Sequence, residues 1–530
     1  MAMTPRDLVS DALRTALGIA VGLVPWIAAG GAQAFDRDSL VWKKCTTCHA
    51  PSADGRIARV EDMRTTPEEW TVIVDRMKRL HGMELKQGEM DRLLKELCAT
   101  QILTPEEQAK VAYLSLWHNS QQMETPAGKD EEKLFTTCVR CHTEGKIRSY
   151  RMTAESWTKL RDFHLYVVPT VVFQMREMRW IPEADAALAS WATKLPYGKA
   201  WSAPEAKLAG NWAVFGYEPG RGSYRGEARI TDAGNSEYKL AGSLAYADGT
   251  SAAFAGEATL YGGYALRTRT KNNGFAGNGA YIVSGDELRG ESHLPAPNFR
   301  TSSATWLRAG DAVKVARIIP AFLLKGEKTT LTVEGVNLPD ARPADISFGG
   351  APVRVLAAKR VAPGALELVV MSDADRLGTA KVTVKGIDAG TIRLAPQIDH
   401  IAIAPEMGRA RLSGGRHYPA EGVQFEAIAY AKSGSGKKAA RVPLGPVAAT
   451  FLLAEEKTRP DDDDLRWLGG IQPNGAYLPM GDYGPNPLRN YSTENSGLVK
   501  VLARYQRGAQ TFNAQALLAV TMPDFIARLR

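Results

Sequence analysis

The pentapeptide Cys-x-x-Cys-His occurs twice in the 530-residue chain, at residues 45–49 and 138–142, and uses four of the five cysteines. In this pattern two thiols can add to the two vinyl groups of one haem, and the imidazole that follows can bind the iron. With 5 Cys and 8 His in the sequence, chance would supply on the order of 10⁻³ copies. We therefore expect two covalently bound haem c groups. The residues predicted to hold them are Cys45, Cys48, Cys138 and Cys141 for attachment, with His49 and His142 as proximal iron ligands.

Three other chemistries use paired cysteines: a zinc site, a thioredoxin-like redox motif and a disulfide. A zinc site would use two Cys-x-x-Cys pairs, but it does not require a histidine directly after each pair. The sequence therefore favours haem, with the other three as alternatives. Cys98 follows an apolar helical stretch, where a lone thiol is usually a small core residue.

The first 34 residues are predicted to be a secretory signal peptide. An apolar run at residues 16–27 is followed by Ala32-Gln33-Ala34, which is typical of a cleavage site. An uncleaved membrane anchor is the alternative, but the run is shorter than the roughly 20 apolar residues that a spanning helix needs. Export agrees with covalent haem attachment, which in bacteria takes place outside the cytoplasm. We expect a periplasmic protein without stable membrane insertion.

The charge pattern argues against a nucleic-acid partner. The formal net charge of +8 is spread over many Lys and Arg side chains and forms no basic block. Nucleic-acid-binding domains usually cluster their positive charge on one face or stripe. The sequence thus predicts a solvated basic surface and no nucleic-acid partner.

The sequence predicts a multidomain protein of α plus β class. After the signal peptide at residues 1–34, we expect a helical tandem dihaem cytochrome c domain at 35–204. An antiparallel β-barrel is expected at 205–310, followed by two immunoglobulin-like β-sandwiches at 311–395 and 396–530. The β assignments depend on alternating, Gly-rich and aromatic runs separated by turn sequences such as Asp-Gly and Asn-Gly.

The helical region contains an internal repeat of Thr, Trp and a candidate iron ligand at fixed offsets. The repeated residues are Thr66, Trp70 and Met77 in the first half and Thr153, Trp157 and His164 in the second half. Two Thr-Pro-Glu-Glu capping boxes predict helix starts after Thr66 and Thr104. We also expect residues 105–117 and 182–191 to correspond as terminal helices of two copies of one small cytochrome c fold.

Each iron needs a second axial ligand unless it binds a substrate, and methionine raises the reduction potential relative to histidine. The repeat nominates Met77 for the first haem and His164 for the second, which predicts one His/Met and one His/His haem. Met77 could instead fill a gap in the core. The rival ligands nearby in the sequence are His81 and Met83 for the first haem, and Met175 and Met178 for the second.

No catalytic residue is predicted in this chain. The sequence lacks the Gly-x-Ser-x-Gly, His-Glu-x-x-His and glycine-rich nucleotide-binding motifs of common enzyme classes. The remaining histidines lack metal-ligand spacing among themselves; they are His118, His293, His400 and His417. An acidic run at 460–464 is expected to be a solvated loop, with a calcium site as the alternative.

An exported tandem cytochrome c followed by a barrel and two immunoglobulin-like domains resembles the alpha subunit of quinohemoprotein amine dehydrogenase. The domain order and the barrel opening at residues 210–222, Gly-Asn-Trp-Ala-Val-Phe-Gly-Tyr-Glu-Pro-Gly-Arg-Gly, make the resemblance specific. The haem motifs alone would not, because they are generic to c-type cytochromes. The resemblance covers essentially the whole chain after the signal peptide.

The resemblance implies a periplasmic heterotrimer. A propeller-shaped beta subunit and a small gamma subunit that carries a cysteine tryptophylquinone cofactor would accompany this chain. The complex would oxidise primary amines to aldehydes and ammonia, with the amine chemistry in the quinone-bearing partner. The haems of this chain would pass the electrons to an external acceptor such as a blue-copper protein or a soluble cytochrome c.

Two other functions stay open. A free-standing dihaem enzyme such as a peroxidase would need a five-coordinate iron that is open to peroxide. A haem-bearing binding module would instead capture a small ligand inside the barrel.

Overall fold

The computed structural model describes residues 35–116, 124–126, 128–167, 171–294, 301–415, 419–434, 440–479, 481, 483–489 and 494–523. The predicted signal peptide, His118 and His417 lie outside these ranges.

The chain is helical between residues 40 and 194. The helices are α1 (Leu40–Cys45), α2 (Pro67–His81), α3 (Glu89–Thr100), α4 (Pro105–Ala109), α5 (Lys129–Thr137), α6 (Glu144–Arg148), α7 (Ala154–Tyr166), α8 (Val171–Gln174) and α9 (Trp180–Lys194). A 3₁₀ turn lies at Ala112–Leu114, and two short strands, β1 (Met63–Arg64) and β2 (Arg151–Met152), pair with each other. Among the residues described, none of the helices has the length and apolar character needed to cross a lipid bilayer.

Both predicted helix starts are confirmed, but the two capping boxes differ. The Thr104 hydroxyl accepts a hydrogen bond from the Glu107 amide, and the Glu107 carboxylate accepts one from the Thr104 amide at 2.8 Å. Thr66 accepts a hydrogen bond from the Glu69 amide at 3.2 Å. The Glu69 carboxylate instead accepts hydrogen bonds from two side chains of the second half, so a tertiary contact has replaced the local one.

An approximate two-fold relation joins the two halves of the helical region. Strands β1 and β2 run antiparallel, with Met63 opposite Met152 and Arg64 opposite Arg151. Each strand leads directly into the helix that carries the repeated tryptophan, α2 or α7. The repeat found in the sequence is therefore a repeat in space.

The repeated tryptophans make equivalent hydrogen bonds. The indole of Trp70 donates to the Gln101 carbonyl at 2.7 Å, and the indole of Trp157 donates to the Leu195 carbonyl at 3.1 Å. Gln101 caps the end of α3 and Leu195 caps the end of α9, so these two helices are the equivalent ones. The expected correspondence of residues 105–117 with 182–191 is wrong, because the short helix α4 begins only after the Trp70 contact.

Residues 210–308 form a closed eight-stranded antiparallel barrel, which confirms the predicted barrel. Its strands are β3 (Gly210–Glu218), β4 (Gly222–Gly234), β5 (Glu237–Tyr246), β6 (Ser251–Tyr261), β7 (Ala265–Asn272), β8 (Phe275–Ser284), β9 (Glu287–His293) and β10 (Thr301–Arg308). The order follows the chain, and β10 closes on β3. Trp212, Phe254, Tyr281 and Trp306 belong to one buried cluster of side chains from these strands, so the barrel has a packed core.

The barrel packs on the first half of the helical region. The turn between β6 and β7 enters the apolar cluster of that half, where the Tyr264 hydroxyl donates to a backbone carbonyl at 2.5 Å. Gly262 lies so close to the Cys98 carbonyl that a Cβ atom there would come within 2.9 Å. Arg267 pairs with Glu68 at 2.5 Å across the same contact. Cys98 is fully buried here, which confirms the core assignment.

Residues 314–395 form two four-stranded sheets. The strands are β11 (Lys314–Ile319), β12 (Phe322–Leu324), β13 (Lys328–Val336), β14 (Ile346–Ser347), β15 (Val353–Ala362), β16 (Ala365–Ser372), β17 (Gly378–Val384) and β18 (Ile387–Ala395). One sheet has the order β11-β13-β16-β15 and the other β12-β18-β17-β14, with one buried cluster drawn from both. A 3₁₀ turn at Pro343–Asp345 precedes β14. The immunoglobulin-like class of this region stays a prediction.

Residues 400–521 form three further sheets. Their strands are β19 (His400–Ala404), β20 (Met407–Arg411), β21 (Val423–Gln424), β22 (Glu426–Ser433), β23 (Ala440–Val447), β24 (Thr450–Glu455), β25 (Ala476–Tyr477), β26 (Gly497–Arg507) and β27 (Gln510–Thr521), with helix α10 (Asp464–Trp467) between them. The sheet orders are β19-β22-β23, β20-β27-β26-β24 and β21-β25. Here too the immunoglobulin-like class stays a prediction.

The acidic run at residues 460–464 is only partly a solvated loop. Asp461 is exposed, but Asp464 is 4% exposed and accepts hydrogen bonds from the Arg489 side chain and the Leu498 amide. The expected solvated loop is therefore wrong at Asp464, because a buried arginine pairs with it. Within the described ranges no group of three or more His, Cys, Asp or Glu side chains could hold a metal ion, so the calcium alternative finds no support.

Candidate haem-binding sites

The first Cys-x-x-Cys-His motif begins at the last residue of α1. Ser39 caps this helix by accepting a hydrogen bond from the Trp42 amide at 3.1 Å. After Cys45 the chain turns tightly, and the amides of Cys48 and His49 donate to the Cys45 carbonyl at 3.1 and 2.8 Å. The half-buried Cys45 and the exposed Cys48 thus lie one helical turn apart, with His49 directly after them.

Burial keeps the first thiol of each motif protonated. It raises the pKa of Cys45 to about 11, with a further contribution from the neighbouring Cys48, and it raises the pKa of Cys138 to about 11. Thiols that bind zinc or exchange disulfides react as thiolates and usually have a lowered pKa. All five cysteines are free, so the structure gives no support to the disulfide alternative.

The candidate distal ligands of the first site lie together at the end of α2. Met77 and His81 are one helical turn apart, and Gly82, with a φ of 70°, ends the helix. The Met83 amide donates to the Met77 carbonyl at 3.1 Å, and Met83 packs in the same apolar cluster as Cys45.

His81 is close enough to His49 to affect its titration. Burial lowers the pKa of His49, and the positive charges of Arg59 and His81 lower it further. The structure thus brings the predicted ligand Met77 and both its rivals, His81 and Met83, to one helix end. It does not single out one of them.

The second motif begins at the end of α5, where the Cys138 amide caps the helix by donating to the Leu134 carbonyl at 2.8 Å. Thr143 caps the next helix, α6, by accepting from the Lys146 amide at 3.2 Å. Between the two helices, His142 Nδ1 lies 3.0 Å from the Thr143 carbonyl, so Nδ1 is the donor and Nε2 is left free.

His164 on α7 faces His142. The centres of the two rings are 6.5 Å apart, and their planes are inclined by 45°. His164 Nδ1 donates to the Leu160 carbonyl at 2.6 Å, which again leaves Nε2 free. Histidines that bind metals usually donate their other ring nitrogen in this way. Burial lowers the pKa of both imidazoles, so both are held in the neutral form that a metal requires.

The two rival methionines of the second site lie farther along the chain. Met175 and Met178 pack against a small apolar cluster that contains Trp180, whose ring centre is 6.2 Å from that of His164. Both methionines are therefore near the second site, while His164 is the residue that faces His142.

The surroundings of the second motif fit a flat, mostly apolar group. A cavity of about 610 Å³ is lined by Phe135, Thr136, Arg140, Glu177 and Met178. Gln174 at the end of α8 lies 3.8 Å from the Cys141 sulfur, and its neighbour Phe173 is 65% exposed. Tyr166, two residues after His164, is 80% exposed. A covalently attached haem would cover large apolar side chains of this kind.

A polar cluster between the two halves was not found by sequence reasoning. The buried Glu69 of α2 accepts hydrogen bonds from Lys146 and Tyr150, each at 2.6 Å. Seven residues after Glu69, Arg76 places its guanidinium over the ring of Phe163 at 4.8 Å from the ring centre. The seven-residue spacing of Glu69 and Arg76, which is two helical turns, indicates in the sequence that both lie on one face of α2. The sequence alone does not reveal which element that face contacts.

Three family profiles match the chain. Residues 36–200 match the haem-binding domain of the quinohemoprotein amine dehydrogenase alpha subunit, residues 205–298 match domain II of that subunit, and residues 401–528 match its domain IV. No curated protein sequence matches significantly.

Solved structures resemble parts of the chain only weakly. A redesigned β-barrel, mFAP1 bound to DFHBI, is 15% identical, with 19% of this chain and 94% of that chain covered and a TM-score of 0.18. Mouse clustered PcdhgC3 EC1-3 is 12% identical over 46% of this chain and 77% of that chain, with a TM-score of 0.16. SGBP-B of the Bacteroides ovatus mixed-linkage glucan utilization locus is 8% identical over 46% of this chain and 56% of that chain, with a TM-score of 0.18. Scores of this size do not establish a shared fold.

The family profiles agree with the features already described. The haem-binding profile spans both Cys-x-x-Cys-His motifs, and the domain II profile begins just before the barrel. Together the three profiles match most of the chain. The chain has a haem-binding domain and belongs to the family of alpha subunits of quinohemoprotein amine dehydrogenase, which is an oxidoreductase.

Proposed function

We propose that this chain is the electron-transfer subunit of a periplasmic amine dehydrogenase and that it carries two haem c groups. The attachment cysteines would be Cys45 and Cys48 for the first haem and Cys138 and Cys141 for the second, with His49 and His142 as proximal ligands. When bound, each haem supplies a centre that accepts and releases one electron at a time.

The facing pair of His142 and His164 carries this proposal. Their ring centres lie 6.5 Å apart, and the two imidazoles would hold the iron of the second haem. Both Nδ1 atoms donate to backbone carbonyls, which leaves both Nε2 atoms free for coordination. The second haem would therefore have two histidine ligands. One is His164 on α7, and the other is His142 in the turn before α6.

The first haem would have His49 and Met77 as ligands. Met77 lies on the same helix face as the buried Trp70, seven residues earlier, and so follows the repeat that places His164 after Trp157. Since Met raises the potential of a haem relative to His, the two haems would differ in potential.

The partner subunits follow from the family. We propose a heterotrimer with a propeller-shaped beta subunit and a gamma subunit that bears a cysteine tryptophylquinone. The quinone would take two electrons from a primary amine, which with water gives an aldehyde and ammonia. This chain would pass the electrons to an external acceptor such as a blue-copper protein or a soluble cytochrome c.

The geometry gives less support to the alternatives. A peroxidase would need an iron with an open sixth position, but His164 occupies the space opposite His142. A ligand-binding barrel would need an internal cavity, whereas Trp212, Phe254 and Trp306 pack together in the barrel core.

Native purification followed by mass spectrometry of every subunit tests the proposal. We expect two partner chains and one haem mass on each of the two Cys-x-x-Cys-His peptides. Addition of n-butylamine should then reduce the haem bands in the visible spectrum.

A chain that purifies alone, with haems that stay oxidised in the presence of the amine, would refute the proposal. A spectral change on addition of peroxide would favour the peroxidase alternative. A small molecule retained by the native protein and released on unfolding would favour the binding module.

A further inference from the structure

One face of α2 points away from its own half of the helical region. Glu69 and Arg76 lie on this face, two helical turns apart. Glu69 contacts Lys146 and Tyr150, and Arg76 contacts Phe163, so both residues of the first half make their contacts in the second half. Helix α2 thus contributes side chains to the neighbouring haem site.

The guanidinium of Arg76 lies at the edge of the pair formed by His142 and His164. It stacks over the Phe163 ring at 4.8 Å, and the centre of that ring lies 5.6 Å from the His164 ring centre. His164 in turn faces His142 at 6.5 Å.

The charge of Arg76 is not balanced by a carboxylate of the described part of the chain. Its helix neighbours Lys78 and Arg79 both pair with Asp75, at 3.8 and 3.4 Å. Glu69, on the same face as Arg76, is paired with Lys146 at 2.6 Å. Within the described ranges Arg76 has a ring contact but no ion pair. A half-buried cation without a counter-ion is costly, and a site of this kind favours a negatively charged ligand.

We propose that Arg76, supplied by the first half, is a haem-binding residue of the second site that pairs with a carboxylate substituent of the haem and favours its reduced state. This inference rests on the proposed function, because it requires a haem at Cys138 and Cys141. Haem carries two carboxylate groups, and a guanidinium binds a carboxylate through paired hydrogen bonds. A positive charge beside the haem also stabilises the extra electron of the reduced form, which raises the reduction potential.

The variant Arg76→Gln tests the proposal in the assembled complex, with potentials measured by spectroelectrochemistry. We expect the oxidation–reduction equilibrium of one haem to shift about tenfold toward the oxidised form, which is about 59 mV for a one-electron couple. Arg76→Lys keeps the charge and should restore most of the potential. The control is Arg79→Gln on the same helix, where a 60% exposed arginine side chain pairs with Asp75 and should leave both potentials unchanged.

The affected haem can be identified by combining Arg76→Gln with Cys138→Ala, or with Cys141→Ala if the first does not mature. Either change leaves one vinyl group conjugated with the ring, so the second haem absorbs at a different wavelength. The potential shift should belong to this haem. Equal shifts in both haems, no shift, or a shift that Arg76→Lys does not restore would overturn the proposal.

The haem count separates the two hypotheses. If the native chain lacks a haem at the second motif, the proposed function fails. If it carries both haems and Arg76→Gln leaves the potentials unchanged, only the inference about Arg76 fails.

Discussion

The proposed second haem site depends on two imidazoles whose orientation is set by backbone carbonyls. Leu160 lies one turn before His164 on α7, so the helix itself provides the acceptor for His164 Nδ1. Thr143 follows His142 directly and provides the other acceptor. Each ring is thus fixed by its own local segment, and the relative position of α7 and the motif decides that the rings face each other.

At the proposed first haem site, mutation can decide among the three candidate distal ligands. We expect Met77→Ala to lower the potential of one haem and to change its visible spectrum, because loss of the sulfur ligand removes the stabilisation of reduced iron. Met83→Ala and His81→Ala are the matched comparisons at the same helix end and should change neither property. If Met77→Ala leaves both haems as they are while one of the other two variants alters one haem, the assignment of Met77 is wrong.

At this scale the sequence nominates attachment residues but says little about their surroundings. The spacing of Cys138, Cys141 and His142 is dictated by haem chemistry, so it can be recognised in the sequence. His164 could be nominated because a repeated Trp precedes it at a fixed offset. Arg76 could not, because its role depends on contact between two halves that are far apart in the chain.

The equivalent tryptophans Trp70 and Trp157 anchor α2 and α7 through their indole hydrogen bonds. The contribution of this hydrogen bond to stability can be tested in the second half of the helical region. Trp157 is 1% exposed and its indole donates to the Leu195 carbonyl. Trp191 on α9 is 2% exposed, but its buried indole nitrogen has no hydrogen-bond partner among the described residues. Replacement by phenylalanine removes the same volume at both positions but breaks a hydrogen bond only at Trp157.

We expect Trp157→Phe to destabilise the helical region more than Trp191→Phe does, by about 0.5–1.5 kcal/mol, since the Leu195 carbonyl would lose the indole donor and keep the longer hydrogen bond from the Met152 amide at 3.4 Å. The measurement is the thermal unfolding midpoint of the helical region, followed through the haem absorption bands. Equal midpoints for the two variants would show that the hydrogen bond contributes nothing beyond packing.

Local signals located the helix starts but not the pairing of the helices. The capping boxes at Thr66 and Thr104 predicted the first residues of α2 and α4 correctly because a cap is a short-range interaction. No short-range sequence signal predicts the equivalence of α3 and α9. It depends on which carbonyl each buried indole reaches, at Gln101 or Leu195, and that is settled only when the halves pack.

On the scale of the whole molecule, the barrel connects the haem-binding region to the C-terminal sheets. Its β6–β7 turn packs against the first helical half. At its other contacts, Arg317 donates to the Tyr224 carbonyl at 2.9 Å, and Asn474 donates to the Gly220 carbonyl at 3.1 Å. The barrel could be predicted from its alternating strands and turn sequences, whereas these contacts between regions left no local pattern.

One contact between the barrel and the C-terminal sheets includes a buried acid. The Tyr217 hydroxyl at the end of β3 donates to the carboxyl group of Glu426 at the start of β22. Burial raises the pKa of Glu426 to about 7, and the hydrogen bond from Tyr217 opposes this rise only in part. In the unfolded chain the same carboxyl group would titrate near its ordinary value of 4.5.

The folded state therefore holds one more proton than the unfolded state between about pH 4.5 and about pH 7, so stability falls as the pH rises through this window. The stabilisation by the protonated acid is fully present below pH 4.5 and lost above pH 7. A difference of this size between the two pKa values corresponds to on the order of 3 kcal/mol.

We expect Glu426→Gln, which keeps a neutral side chain at every pH, to remove this dependence. The measurement is the difference in unfolding midpoint between the variant and the native chain over the range from about pH 5 to about pH 8. The two midpoints should nearly coincide at the acid end, and the variant should become the more stable of the two as Glu426 ionises. Tyr217→Phe serves as a second variant: it removes the hydrogen bond that favours the ionised carboxylate, so the window should extend to higher pH. A midpoint difference that stays constant across the range would mean that Glu426 does not titrate in this window, and the burial of its carboxyl group at the contact would have no consequence for stability.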